Sequence, residues 1–271
     1  MVDIGIITGS GIYELPGTSE TRTVQRLQTR FGEAEVTVSK TGPWTIGSVA
    51  RHGVGHRHLP HTVPHRANLA ALYELGARAV LATTAVGAVD PDLTLGQPVL
   101  FDDLFFPENR LPDGETCTMF PEAGEPGRGH SIQTEPFAPR LRCRMGLAAE
   151  DLGLEATTGG VYGHVNGPRF NTAAEIRHLA AAGVSAVSQT CGPEAVLAGE
   201  LELPYALAGF PVNHALGGSE SADDLARLLA LSSETLPRLL LHTIQTLEEA
   251  DLEYDYGYVY RVEGGIGRSE G

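Results

Sequence analysis

Two periods of apolar residues alternate along the chain. Val2 to Thr8 (VDIGIIT) is a short apolar run that stops at Gly9-Ser10-Gly11. Such a run into glycines predicts a buried strand entering a tight turn. Glu35–Ser39 and Trp44–Ala50 are β-prone and separated by Gly and Pro, which predicts antiparallel strands. From His65 to Leu75 the apolar residues Ala67, Leu69, Ala71, Leu72 and Leu75 fall at helical spacing, with Gly76 near the C-terminal stop. Ala79–Leu81 is the apolar heart of a second buried strand that ends in Thr83-Thr84-Ala85-Val86-Gly87. Val99–Phe106 predicts a third, with Asp102 and Asp103 inside it.

The second half continues the alternation. Pro136–Leu152 predicts a helix and Glu155–Tyr162 a strand. Thr172, with Glu175 three residues later, reads as the capping box of the next helix. Ala186–Ser188 and Tyr205–Val212 read as strands, Pro193–Leu201 as a helix, and Asp223 to about Ala250 as a long amphipathic helix. Residues 107–135 are rich in Gly, Pro and charge without periodicity, which predicts a long loop of the kind that covers an active site or meets a subunit. Strands alternating with helices imply an α/β fold, a single-domain sandwich with a central mixed β-sheet flanked by helices. The domain is expected over residues 1–250. The Tyr- and Gly-rich tail, 251–271, is either disordered or packed on a neighbour.

Length and charge narrow the function. A chain of 271 residues suffices for one domain with a sizeable core. Its 19 basic and 34 acidic residues leave a net charge of 19 − 34 = −15, which disfavours nucleic acid or an anionic membrane as partner. Any anionic substrate must then be drawn by a local patch. The cysteines, Cys117, Cys143 and Cys191, are odd in number and lack a CxxC spacing, as expected in a reducing cytosol. With no leader ahead of the first strand and no apolar run of membrane-spanning length, a soluble cytoplasmic protein is expected.

The local patch is Arg51 to Asn68, RHGVGHRHLPHTVPHRAN, with five histidines, three arginines and no acid. Arginine offers a planar fork to phosphate and imidazole a further donor, so an anion site is the functional reading. A solvated loop is the bland one. A metal site on His52 and His56 at i,i+4 spacing is a third, weakened by Gly53 and Gly55, which oppose a helix. Arg-His-Gly also opens the site of histidine phosphatases, but there it follows the first strand. Here Gly9-Ser10-Gly11 does, and Glu14 breaks the dinucleotide fingerprint. Ser10, Arg51-His52, Thr84-Ala85 and Thr190 all fall at predicted strand ends, where ligands gather in α/β sheets. Hydroxyls, free backbone N–H groups and an arginine together suit inorganic phosphate or a phosphoryl group.

The ordered motifs IITGSGIY, ARHGVGHRHLP with VPHRAN, TTAVGAV, NGPRFNTAAE and TCGPEAVLAGELELPYA carry a wider likeness. From about Val2 to Glu249 the chain resembles the trimeric purine nucleoside phosphorylases, and more closely their methylthioadenosine phosphorylase branch. The resemblance implies phosphorolysis: phosphate attacks C1′ of a purine nucleoside, releasing the base and an α-sugar 1-phosphate. It implies a homotrimer or dimer of trimers, no metal or organic cofactor, and inorganic phosphate as co-substrate. By position, Ser10, Arg51, His52, Thr84, Ala85 and Thr190 would hold phosphate. Arg51, His52 and Asn213 would be catalytic. Phe170 would stack on the purine, with Asn171, Asn213 and Ala215 about its edge. Gln189, His65 and Ala222 would meet the sugar, together with His130 lent by a neighbouring subunit.

Departures from that pattern bear on the substrate. The 6-aminopurine branch has carboxylates where this chain has Asn213 and Ala215. Asn can donate to O6 while accepting from a protonated N7, which favours a 6-oxopurine. The general enzymes place Glu where this chain has Asn171. Ala222 stands where a histidine would bind the 5′-hydroxyl, which suits a 5′-methylthio or 5′-deoxy group. Gln189 replaces a methionine and His65 a tyrosine. The competing functions are a methylthioadenosine phosphorylase, a hydrolase using water, and a diverged nucleoside-binding protein without turnover. The competing structural readings are Asn213 as the cap of a turn, His130 as plain surface, and Gln189 paired with backbone.

Overall fold

The computed structural model describes residues 1–12, 15, 22–218 and 221–261. Strand β1 (Ile4–Thr8) is buried along its whole length. β2 (Thr23–Thr29), β3 (Gly32–Thr41) and β4 (Trp44–Ala50) form an antiparallel meander that returns β4 parallel beside β1. Helix α1 (His65–Glu74) leads to β5 (Ala79–Ala88), which pairs parallel with β1. Beyond these come β6 (Val99–Leu100), β7 (Asp103–Phe105), β8 (Gly129–Gln133), α2 (Pro139–Asp151), β9 (Thr157–Thr158) and β10 (Val161–His164). The chain continues through α3 (Ala173–Ala181), β11 (Val184–Ser188), α4 (Cys191–Glu200), β12 (Tyr205–His214), α5 (Ala222–Thr246) and β13 (Gly257–Arg261).

Among the described residues eleven strands form one mixed sheet, ordered β2-β3-β4-β1-β5-β11-β10-β7, with β12 on β5 and β6, and β9 on β6. Alternation along the strands feeds two cores. Ile4, Ile6, Ala79 and Leu81 pack with Leu141 and Met145 of α2 and Leu236, Leu239 and Leu240 of α5. Ile7, Val80 and Ala82 pack with Leu69 and Leu72 of α1 and Leu197 of α4. Each strand residue thus chooses a face by its parity, and helices cover both faces, as the expected sandwich requires.

Three predicted elements are drawn differently. The strand expected over Val99–Phe106 is two strands: Phe101 is buried in the core and the Asp102 carboxylate accepts the Gly160 N–H at 2.8 Å. The one expected over Glu155–Tyr162 is broken at Gly159 and Gly160, whose φ values of 95° and 126° are open to glycine and costly for other residues. The long helix stops at Thr246, short of Ala250, where Leu247 turns extended.

The 107–135 segment is not irregular throughout, since β8 lies in it and pairs antiparallel with β13. Of the 251–271 tail, the part through Arg261 therefore packs on its own chain: Leu252, Tyr256 and Val259 are buried. Residues 262–271 lie outside the described residues. The capping box is present as read, with Thr172 Oγ1 accepting the Glu175 N–H and Glu175 accepting that of Thr172.

Candidate active site

The exit of β1 sits against β5 and Arg51. A Cβ on Gly9 would lie 3.1 Å from the Thr83 carbonyl oxygen, 3.2 Å from Thr84 Cα and 3.3 Å from Arg51 Nη1. Only a residue without a side chain lets these backbones meet so closely. The strand ends and loops enclose a cavity of about 550 Å³. Ser10, His52, Thr84, Ala85 and Thr190 line it: the first two just past β1 and β4, Thr190 at the start of α4, and Thr84 and Ala85 from inside β5, which runs on to Ala88 and not, as expected, to an end at these residues. Phe170, Asn171 and Gln189 line a second side, Asn213 and Ala215 the end of β12. Ala222, Leu225 and Leu229, at i, i+3 and i+7 of α5, supply an apolar wall.

Three of the sequence-derived residues are elsewhere. Arg51 lies behind the cavity wall, 1% exposed. Its Nε and Nη2 donate to the two oxygens of Glu194 at 2.5 and 2.8 Å, and Nη1 donates to the Thr83 carbonyl at 2.8 Å. Tyr205 Oη also donates to Glu194, at 2.8 Å. Burial pushes that phenol up, and the carboxylate adds to the effect, so it remains a donor. His65, expected at the sugar, is buried at the start of α1, with Nδ1 3.6 Å from Glu194 Oε1. That is ion-pair range but too long for a hydrogen bond. His130 is exposed on β8, opposite Tyr260 of β13.

His52 Nδ1 is 2.8 Å from the His58 carbonyl oxygen. A carbonyl can only accept, so Nδ1 carries the proton and a neutral ring leaves Nε2 with a lone pair. Burial, then the adjacent Arg51 charge, brings the His52 pKa down to about 4, so the ring is neutral near pH 7. His56 stacks on it, with centroids 4.3 Å and planes 14° apart. The two rings therefore lie face to face, a poor arrangement for a shared metal, whose ligand nitrogens must point inward.

Thr84 Oγ1 lies 3.2 Å from Ser188 Oγ, which joins the middle of β5 to the end of β11. The Gln189 amide donates to the Arg169 carbonyl at 2.9 Å, and Asn213 Nδ2 donates to the His214 carbonyl at 3.1 Å. Both side chains thus make the backbone bonds that a structural role needs while lining the cavity. Phe170 is 88% exposed at the rim. A second cavity of about 580 Å³ borders the same Arg51–Gly53 segment but opens among β2, β3 and β4. Of the residues expected at phosphate it borders Arg51 alone, and its Arg26 and Glu35 already pair at 3.3 Å.

The chain is similar to known proteins along nearly its whole length. Residues 3–245 match the family model described as the phosphorylase superfamily. The chain belongs to the phosphorylase superfamily. It is 37% identical over 251 residues to a 6-oxopurine nucleoside phosphorylase of Pyrococcus furiosus, covering 90% of this chain and 92% of that protein. It is 36% identical to an S-methyl-5′-thioadenosine phosphorylase of Mycobacterium tuberculosis, covering 91% and 90%. A crystal structure of a mutant adenosine/methylthioadenosine phosphorylase of Schistosoma mansoni, in complex with methylthioadenosine, superposes with a TM-score of 0.81 at 25% identity, covering 93% and 94%.

In this superfamily member Glu194 and Ser188 are site residues beyond those expected, and His56, weighed only as a metal ligand, stacks on His52. Glu194 had a signal: it is an acid in an otherwise apolar or small run, Cys191-Gly192-Pro193-Glu194-Ala195-Val196-Leu197, and a buried carboxylate there needs a cation. His56 lay within the histidine-rich segment, but its stacking on His52 depends on the turn through Gly53 and Gly55. Ser188 offered no signal beyond a hydroxyl at a strand end.

Proposed function

We propose that the protein is a purine nucleoside phosphorylase acting on 6-oxopurine nucleosides and accepting a 5′-methylthio or 5′-deoxy sugar. The observation that carries this reading is the meeting of Ser10, His52, Thr84, Ala85 and Thr190 in one cavity with Phe170 and Asn213. The first group suits a tetrahedral oxyanion, the second a flat heterocycle. The glycosidic C1′–N9 bond breaks ahead of bond formation, its electron pair passing to the purine. The oxocarbenium-like sugar is met by a phosphate oxygen, which closes the new C1′–O bond. Arg51 braces the Gly9–Ser10 turn from behind, donating to the Thr83 carbonyl and held in place by Glu194. Asn213 donates to O6 and accepts from N7–H, the N7 proton being taken from solvent as the C1′–N9 bond breaks, which spreads the charge on the leaving base. No metal or organic cofactor takes part; inorganic phosphate is the co-substrate.

The 5′ end meets Ala222, Leu225 and Leu229, an apolar wall that suits an alkylthio group better than a hydroxyl. This wall also favours a second reading, a methylthioadenosine phosphorylase, as in the Mycobacterium tuberculosis relative. The enzyme is proposed to be a cytoplasmic homotrimer, or a dimer of trimers, working in purine salvage. His130 on the exposed β8 strand would complete a neighbour's 5′ pocket.

The test is base release from inosine, guanosine, adenosine, methylthioadenosine and methylthioinosine, each with and without phosphate. Phosphate-dependent hypoxanthine release, faster from methylthioinosine, is expected. Faster adenine release selects the second reading, release that ignores phosphate identifies a hydrolase, and binding without release identifies a non-catalytic nucleoside-binding protein.

A further inference from the structure

Gln189 sits between Ser188, which bonds Thr84, and Thr190, which lines the cavity. From this position at the phosphate end its side chain crosses to the opposite loop. Nε2 donates to the Arg169 carbonyl at 2.9 Å, next to Phe170. A Cβ on Gly167 would fall 2.1 Å from Gln189 Oε1, so the amide fills the room that this glycine leaves. The other side-chain ties of the loop lead away from β11. Asn166 donates to Glu108 at 2.6 Å, and Arg169 pairs with Glu175 at 2.7 Å. Val165 N–H bonds the Ser188 carbonyl at 3.1 Å, anchoring only the start of the loop. Phe170 itself has almost no packing to hold it.

We infer that Gln189 is a positioning residue for the purine, acting through the Arg169 carbonyl on the Phe170 ring, and not a ligand of the sugar. The inference rests on the reading of Phe170 as the surface on which the base stacks. An amide at this position supplies a directed N–H. A methionine of similar length fills the same space and supplies none. The tie runs from the strand end that receives phosphate to the loop that receives the base, so it sets the height of the ring over the cavity.

Free hypoxanthine separates the two roles because it has no sugar. Calorimetric titration of hypoxanthine and of inosine, without phosphate, into the wild type, Gln189→Met and Gln189→Glu is the experiment. Gln189→Met is expected to weaken both ligands by the same factor, roughly fivefold to tenfold, the worth of one lost hydrogen bond. Gln189→Glu keeps the size but turns an acceptor toward the Arg169 carbonyl, and is expected to weaken both at least as much. In the double variant with Phe170→Ala, Gln189→Met is expected to add no further loss, because its effect passes through that ring. Phosphate affinity is expected to stay within about twofold, as the hydrogen bond lies outside the phosphate contacts. A loss confined to inosine overturns the inference in favour of a sugar contact. Unchanged affinity for both ligands, full additivity with Phe170→Ala, or a wild type that binds no hypoxanthine also overturns it. A matched loss in a protein that never releases base with phosphate leaves the inference standing and rejects the proposed reaction instead.

Discussion

Arg51 and Glu194 stand 143 positions apart in the chain and meet as a two-point ion pair in which neither side chain is more than 1% exposed. Such a pair is costly to break on one side, because the partner charge stays buried without compensation. Glu194→Ala is expected to cost ~3–5 kcal/mol of stability. Denaturant unfolding measures it, and Glu194→Gln, which keeps one acceptor, is expected to lose less.

The same pair gives an acid dependence with a definite sign. Burial alone would raise the Glu194 pKa, but the Arg51 charge and hydrogen bonds outweigh it and hold the group at about 2, against an ordinary 4.5. The folded state therefore binds the proton less readily than the unfolded chain. The stabilisation is complete above pH 4.5 and is lost as pH falls toward 2. Unfolding midpoints between pH 5 and 3 are expected to fall more steeply in the wild type than in Glu194→Gln.

His52 shifts in the same direction for a different reason, because here burial and the neighbouring cation disfavour the charged form. Burial and then Arg51 lower its pKa from 6.5 to about 4. The unfolded chain takes up the proton first, so this group erodes stability as pH falls from 6.5 to 4 and has no effect above that window. In an NMR titration its ring is expected to change charge near pH 4. A midpoint near 6.5 would contradict the enclosure described for it.

Phe170 offers a clean separation of binding from folding. At 88% exposure its ring contributes little to the core, so Phe170→Ala is expected to leave stability within about 0.5 kcal/mol. Loss of base stacking is expected to weaken nucleoside binding by about 1–3 kcal/mol, roughly fivefold to a hundredfold in KM. Steady-state kinetics and thermal unfolding of one variant decide the point together.

Asn213 tests the choice of base. Asn213→Asp replaces a group that both donates and accepts with one that, ionised, only accepts. The ratio of hypoxanthine to adenine release from methylthioinosine and methylthioadenosine is expected to fall by about tenfold or more, since each purine edge then faces a changed set of donors.

The legible parts of this protein are those whose cause is local. β1 and the apolar start of β5 announce themselves because a doubly covered strand must be apolar on both faces, and Gly9-Ser10-Gly11 marks where β1 ends. The Thr172–Glu175 box is a four-residue pattern with a mechanism of its own. Ser10 and Thr190 are legible as cavity-lining hydroxyls because each sits at a junction between elements, whereas Thr84 lies inside β5, which runs on to Ala88. What escaped depends on distant partners. The direction in which Arg51 points is decided by Glu194, and the location of His65 by the packing of α1 against α4. The bond from Gln189 to the Arg169 carbonyl depends on the room that Gly167 leaves, which neighbouring sequence does not encode. The pairing of Gly129–Gln133 with Gly257–Arg261 joins two stretches whose short alternation carries no more signal than loop.

That last pairing also imposes an order on synthesis. β8 is made midway along the chain, while its antiparallel partner β13 is the last described segment to leave the ribosome. The sheet and both cores are encoded ahead of β13 and can assemble as the chain emerges. The strand that carries His130 cannot be fastened until β13 arrives, so the nascent protein completes its pocket walls before this outward strand pair.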